Sequence, residues 1–232
     1  MIKILLADDD TELTDLLEEY LTPEGFDVVA VHDGVAAVEA VKQHHFELLV
    51  LDVMMPEMNG FEVLRQVRKF SAIPVIMLTA RGDDVDSIVG LEIGADDYLA
   101  KPCNPRVLVA HIRAILRRTE SSESTDVTSD SLLIDNVEIQ RGARRVFLAD
   151  KPVSMTSTEY CVLEILMEHA GEVVLKEDLS QLALRREHTI HDRSLDMHIS
   201  KLRKKLGPIS DEQERIKTVR GIGYQYVRIT DA

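Results

Sequence analysis

The chain has 232 residues, 45% of them hydrophobic, with two cysteines and a formal net charge of −14. That length suits one large domain or two ordinary ones, and so strong an acidic balance excludes an indiscriminate polyanion binder. No apolar run approaches the roughly 18 residues of a membrane span, the short acidic start predicts no signal peptide, and Cys103 and Cys161 have neither pairing nor metal-ligand spacing; together these predict a cytoplasmic protein with no membrane insertion.

In chain order, an apolar run from Ile2 to Ala7 ends in Asp8-Asp9-Asp10. A helix is predicted over 10–22, where Leu13, Leu16, Leu17 and Leu21 follow helical spacing, with Asp10 as its cap. A second helix is predicted over 34–44. The run Leu48 to Leu51 then ends in Asp52, followed by Val53-Met54-Met55-Pro56. After a helix over 60–69, the run Pro74 to Leu78 ends in Thr79-Ala80. A helix over 84–93 precedes Tyr98 to Ala100, which ends in Lys101-Pro102. The last helix of this half is predicted over 105–118, with Val107, Ala110, Ile112 and Leu116 on its apolar side. The strand runs are continuously apolar, which suits a parallel sheet covered on both faces. A five-fold βα alternation predicts a doubly wound α/β fold with the flavodoxin-like strand order 2-1-3-4-5.

Residues 119–131 hold one aliphatic residue and four acids, which predicts a flexible acidic linker. It divides the chain into domains of residues 1–118 and 132–232. The first carries 11 basic and 21 acidic residues, the second 16 of each. The second opens with short strands near 132–134, 137–140, 144–148 and 152–154. Helices near 157–170, 176–184 and 192–206 follow, the first with a capping box from Thr156 or Ser157 to Glu159. A hairpin of 216–219 and 224–227 closes this α+β half.

Each strand-like run of the first half ends in a chemically useful residue. In an open parallel sheet the carboxyl ends of the strands are where ligands gather. Asp8, Asp9 and Asp52 would sit together there and repel one another without a cation. Mg2+ prefers such oxygen ligands. Lys101 supplies a positive charge and Thr79 a hydroxyl donor for phosphate oxygens. Asp52, ionised at neutral pH, is a nucleophile able to form an acyl phosphate. In the second half, Leu195, Ile199, Leu202 and Leu206 form one helical stripe. Arg193, Ser200, Lys201 and Lys204 lie mostly on other faces, with Arg203 at the margin. A cationic amphipathic helix suits the DNA major groove, and Arg220 at the hairpin tip suits a phosphate or the minor groove.

The segments ILLADDD, LLVLDVMMPEMNG, VIMLTARG and GADDYLAKP make residues 1–118 resemble the receiver domain of a bacterial response regulator. MTSTEYCVLEILMEHAGEVV, DRSLDMHISKLRKKL and IKTVRGIGYQYV make the second half resemble the winged-helix output domain of the OmpR/PhoB family. Within that family the look is closest to an envelope-stress regulator. The resemblance implies a transcription regulator rather than an enzyme. Asp52 would be phosphorylated by a sensor histidine kinase, with Asp9, Asp52, the Met54 carbonyl and, through water, Asp8 binding Mg2+. Lys101 would pair with the phosphate, and Thr79 and Tyr98 would be the switch pair. Residues 192–206 would be the recognition helix, with Arg193, His198, Ser200, Lys201, Arg203 and Lys204, and Thr218 and Arg220 of the wing, meeting promoter DNA.

Activation would produce a homodimer through Glu92, Asp96, Asp97, Arg113 and Arg118. Ser87, Val107 and His111 depart from the charged residues common on that face, and Cys103 replaces a frequent Phe. RNA polymerase is the further partner implied, although the loop 184–192 lacks a Trp-Gly often found near its start. Two histidines in that loop, His188 and His191, have a possible metal spacing with no third ligand. A phosphatase or phosphomutase, a flavodoxin-like electron carrier, and a regulator indifferent to phosphorylation are the rival readings. The first would need a second acid or base beside Asp52, where Val53 and Met54 stand.

Overall fold

The computed structural model describes residues 1–80, 84–120, 131–184, 193–210 and 213–228; the side chains of 80, 84–88 and 118–120 stand outside that description. His188 and His191 therefore lie outside the described residues, as do 121–130 of the predicted linker and the side chains of Ser87 and Arg118. The chain forms two compact units, Met1–Leu116 and Arg117–Ala232.

The first unit alternates strand and helix five times: β1 (Ile2–Ala7), α1 (Thr11–Leu21), β2 (Phe26–Val31), α2 (Gly34–Gln43), β3 (Leu48–Asp52), α3 (Gly60–Val67), β4 (Val75–Ala80), α4 (Asp84–Ile93), β5 (Asp97–Lys101) and α5 (Pro105–Glu120). The strands form one parallel sheet in the order β2-β1-β3-β4-β5, the predicted flavodoxin-like order. All five residues of β3 are buried, so this central strand is covered on both faces. On one face Ile4, Leu6, Val50, Ile76 and Leu78 pack with Leu17 and Leu21 of α1 and Leu108, Ile112 and Ile115 of α5. Burying each such side chain contributes about 1.5–3 kcal/mol.

Helix starts follow their sequence signals. Asp10 accepts from the Leu13 N–H at 3.0 Å, and Asn59 and Glu62 form a capping box at α3. The phase of two apolar stripes differs from prediction. In α1, Leu16 points outward and Thr14 takes the inner place, its hydroxyl donating to the Thr11 carbonyl at 2.9 Å. In α5, Val107 and Ala110 are exposed, and Leu108, Val109, Ile112, Ile115 and Leu116 form the inner face. Both stripes are wide enough in sequence to admit a neighbouring phase.

Arg68, at the end of α3, fastens the turns that precede β4 and β5. Its Nε donates to the Gly94 carbonyl at 2.9 Å, Nη1 to Ile73 at 2.7 Å, and Nη2 meets the Asp96 carboxylate at 3.2 Å. Asp96 also accepts from the Val75 N–H at 3.1 Å. Gly94 has φ +131°, and a Cβ there would lie 3.1 Å from the Arg68 Nε, so glycine suits both the backbone and the close guanidinium.

The second unit begins with an antiparallel sheet of β6 (Ser131–Ile134), β7 (Val137–Gln140), β8 (Arg145–Leu148) and β9 (Lys151–Val153), in that spatial order. Three helices follow: α6 (Ser157–Glu168), α7 (Lys176–Leu179), which continues as a π-helical turn over Ser180–Leu184, and α8 (Ser194–Leu206). Thr156 caps α6 with Glu159 as the reciprocal partner. The closing hairpin, β11 (Ile216–Val219) and β12 (Gly223–Tyr226), gains a third strand, β10 (Val174–Leu175), beside β12. Two residues carry no period, so sequence pattern does not reveal β10. Gly223 permits that pairing: a Cβ would fall 1.9 Å from the Val174 carbonyl oxygen. Leu195, Ile199, Leu202 and Leu206 of α8 are buried against α6, as their stripe predicts.

Replacing Arg68 with Met should destabilise the first unit by about 3 kcal/mol, because it takes the guanidinium away from the buried Asp96 carboxylate and from the Gly94 and Ile73 carbonyls. Urea unfolding followed by circular dichroism measures this; a loss under about 1 kcal/mol would show that Asp96 does not depend on the guanidinium.

Candidate functional site

Strand register assembles the site. Ala7 pairs with Leu51, which places Asp8, one residue on, beside Asp52. Asp52 pairs with Leu78, Thr79 with Ala100, and Ala80 with Lys101. The carboxylates, the hydroxyl and the ammonium thus come to one edge of the sheet, stepped by one or two residues. Asp8 and Asp52 are buried, at 0% and 3% exposure, as is Thr79, whereas Asp9 is exposed. One carboxylate oxygen from each of Asp8, Asp9 and Asp52 lies within 4.8 Å of the others.

Lys101 joins this set. Its Nζ is 2.7 Å from Asp8 Oδ2 and 3.0 Å from Asp52 Oδ1. Burial pushes its pKa down, but the two carboxylates outweigh that and raise it above the ordinary lysine value. Burial moves the Asp52 carboxyl the other way, above its ordinary value, helped by Asp8 and opposed by Lys101 and the Met54 backbone. Three carboxylates and one ammonium leave two formal negative charges in a confined space. The fit to a divalent ion is good: the donors are all oxygen, one acid is open to solvent, and the residual charge matches that of Mg2+.

The surrounding loops hold these groups by their backbones. Asp8 N–H donates to the Val31 carbonyl at 3.1 Å, and the Asp8 carbonyl lies 3.0 Å from His32 Nδ1. Val53 N–H donates to Leu78 at 3.1 Å and Gly60 N–H to Val53 at 2.9 Å. A Cβ on Gly60 would fall 2.1 Å from the Asp52 carbonyl oxygen, so only glycine lets α3 start this close to the acid. Sequence pattern singles out neither His32 nor Gly60. Gly60 follows an Asn at a helix start, which is the available signal.

Tyr98 pairs with Met77, so it shares a sheet face with Thr79, two places further along β4. Tyr98 is half-buried. The Met54 side chain is 70% exposed.

Two groups of predicted interface residues are placed differently. Asp96 and Asp97, expected at an exposed dimer face, are buried in the chain. Asp96 is held by Arg68, while Asp97 accepts from its neighbour's Tyr98 N–H at 2.9 Å and meets His111 Nδ1 at 2.7 Å. His111 is thus an anchored residue of α5 rather than a plain surface histidine. Glu92 is exposed, and Arg113 pairs with Glu24 at 2.6 Å.

In the second unit, Arg193, Lys204, Thr218 and Arg220 are placed at or near the surface, and Ser200 and Arg203 are half-buried. His198 is fully enclosed, and Lys201 is buried with its Nζ 3.8 Å from Glu159. As placed, neither can present itself to a base. A helix of 3.6 residues per turn carries position 198 beside Leu195, Ile199 and Leu202, on the inner face.

A sheet-edge acidic site on one unit and a three-stranded wing behind a cationic helix on the other define a two-component response regulator of the OmpR/PhoB type, and the chain belongs to that family. Residues 4–113 match the response regulator receiver domain, and 150–226 match the C-terminal domain of transcriptional regulatory proteins. The chain is a CpxR-like member. It is 47% identical to the transcriptional regulatory protein CpxR of Escherichia coli (strain K12) over 230 residues, covering 98% of this chain and 99% of that one. It is 43% identical to the CpxR homolog of Haemophilus influenzae over 227 residues, 98% of this chain and all of that one. Among solved structures, a mutant of RitR aligns with TM-score 0.77 and 25% identity, covering 97% of this chain and 99% of that one. DrrB, an OmpR/PhoB homolog from Thermotoga maritima, aligns with TM-score 0.52 and 30% identity over 98% and 99% of the two chains. No helix among the described residues is long and apolar enough to cross a membrane.

The raised Asp52 pKa has a sign that stability reports. Such a carboxyl favours folding below its ordinary range, near pH 4, and loses that contribution as pH rises through its folded value. At pH 7 in EDTA, Asp52→Asn should therefore unfold at a higher urea concentration than wild type, with a flatter response to pH above 4. A lower midpoint for the variant would show that the ionised carboxylate supports the fold.

Proposed function

We propose that Asp52 accepts a phosphoryl group from the phosphohistidine of a sensor kinase and that the phosphorylated chain regulates transcription from promoter DNA. The observation that carries this reading is the convergence of Asp8, Asp9, Asp52 and Lys101, with Thr79 alongside, at one sheet edge. A carboxylate oxygen of Asp52 forms the new O–P bond as the N–P bond breaks in a donor protonated on its other ring nitrogen, giving an acyl phosphate and a neutral imidazole. Lys101, already held between Asp8 and Asp52, needs only a small movement to meet a phosphate oxygen. The Thr79 hydroxyl donates to another, and Tyr98, on the same sheet face, turns inward as Thr79 moves. Asp8, Asp9, Asp52 and the Met54 carbonyl would hold Mg2+, which when bound neutralises charge on the transferring group.

The residues of the output unit that support DNA contact are Arg193, Lys204, Thr218 and Arg220, together with Ser200. Phosphorylation shifts the receiver toward a state that dimerises, and Glu92, Arg113 and Arg118 are the charges left to that interface. Exposed pairs of this kind contribute about 0–1 kcal/mol each. Residues 119–131 tether receiver 1–118 to output domain 132–232. Two tethered domains then meet repeated half-sites at raised effective concentration. RNA polymerase is the further partner, the cytoplasm the setting, and envelope stress the stimulus class that fits the likeness to CpxR. A regulatory rather than enzymatic role suits Val53 and Met54, which offer no acid or base beside Asp52.

Acetyl phosphate with Mg2+ should add one phosphoryl group to the full chain, base-labile and mapped to Asp52 by mass spectrometry. Asp52→Ala should abolish the adduct, and with it any gain in DNA affinity from the phosphodonor. Equal DNA affinity of wild type and variant with and without the donor would refute phosphorylation control.

A further inference from the structure

The recognition helix and the wing are fastened to each other by polar side chains at both ends of α8. Near its C-terminal end, Arg203 reaches across to β11: Nε donates to the Ile216 carbonyl at 2.9 Å, and Nη2 to the same carbonyl at 2.7 Å and to Thr218 Oγ1 at 2.8 Å. Glu214 Oε2 lies 3.5 Å from the same Nη2. In the first turn, the Asp196 carboxylate accepts from Lys176 Nζ at 2.7 Å and from the Tyr224 hydroxyl of β12. Lys176 opens α7, and its Nζ also lies 5.5 Å from the centre of the Tyr224 ring.

We propose that Arg203 and Asp196 are positioning residues that set the wing against the recognition helix, so that the two read DNA as one rigid head. The guanidinium commits its Nε–H and Nη2–H donors to the wing. Its bond to Thr218 occupies an acceptor site of that hydroxyl, so the Thr218 O–H is aimed away from Arg203, where a phosphate can accept it. Asp196 is an acid on a DNA-facing helix, where a bare carboxylate would repel phosphates. Lys176 offsets that charge, and the Tyr224 hydroxyl ties the helix start to β12. Wing placement fixes where Arg220 meets the duplex relative to Arg193 and Lys204. A loose wing would therefore cost sequence discrimination more than general attraction.

The test uses the full-length chain, a duplex enriched by the wild-type protein from a random-sequence pool, and an unselected random-sequence duplex. Arg203→Lys keeps the charge and removes the fork. It should weaken binding to the selected duplex by roughly tenfold or more, and to the random duplex by less than about twofold, with the salt slope unchanged. Asp196→Asn should lower the same ratio. In the free protein, hydrogen exchange should quicken at β11 and β12 amides in both variants and stay unchanged in α6. That arm reads the clamp without DNA, so a failed phosphorylation scheme leaves it intact. The proposal is overturned if Arg203→Lys binds both duplexes like wild type with a protected hairpin. Equal weakening on both duplexes would also overturn it, and a salt slope lower by about 0.9 in the uncharged Arg203→Gln would make Arg203 a phosphate contact.

Discussion

The ion triad of Asp8, Lys101 and Asp52 is the constraint around which the first unit is arranged. A lysine ammonium 2.7 and 3.0 Å from two buried carboxylates compensates one charge and leaves the rest of the acid set unbalanced. Buried like charges are costly, and a fold tolerates them when a ligand relieves them. The backbone around the site is correspondingly tight: Gly60 lets α3 begin against the Asp52 carbonyl, and Asp8 is held through β2 and His32. The set combines a buried carboxylate, an ammonium held between two acids, and three acids with one oxygen each within 4.8 Å of the others.

Much of this is legible in sequence because parallel strands turn linear position into spatial position. Four apolar runs each end in a functional residue, and register alone places those residues in stepped neighbours. β2 is harder to see: it is an edge strand with Asp27 at its second place and mostly half-buried residues. The inward phase of α1 and α5 is ambiguous in sequence because Leu16, Val107 and Ala110 extend the apolar stripe past the buried face. Support residues such as Arg68 and His32 act through backbone carbonyls, and the partners of such bonds leave no mark in a pattern of side-chain types.

The output unit shows the same limit from the other side. Counting basic residues on α8 makes Lys201 and Arg203 equivalent to Lys204. The structure separates them, since Lys201 turns to Glu159 and Arg203 to the wing, while Lys204 stays exposed. Glu159 is both the reciprocal capping residue of α6 and the acceptor for Lys205, so one buried carboxylate orders two helices. Asp96 and Asp97 repeat the lesson in the receiver: two adjacent acids that look like interface charges are anchors for Arg68 and His111.

The central claim is that the sheet-edge acids form one divalent-ion site whose charge the protein alone leaves unbalanced. Calorimetric titration of the full chain with Mg2+ at pH 7 tests it most directly. One ion should bind per chain, and Asp9→Asn and Asp52→Asn should each weaken that binding by roughly tenfold or more. Undetectable binding to wild type, or affinities unchanged in both variants, would contradict the account.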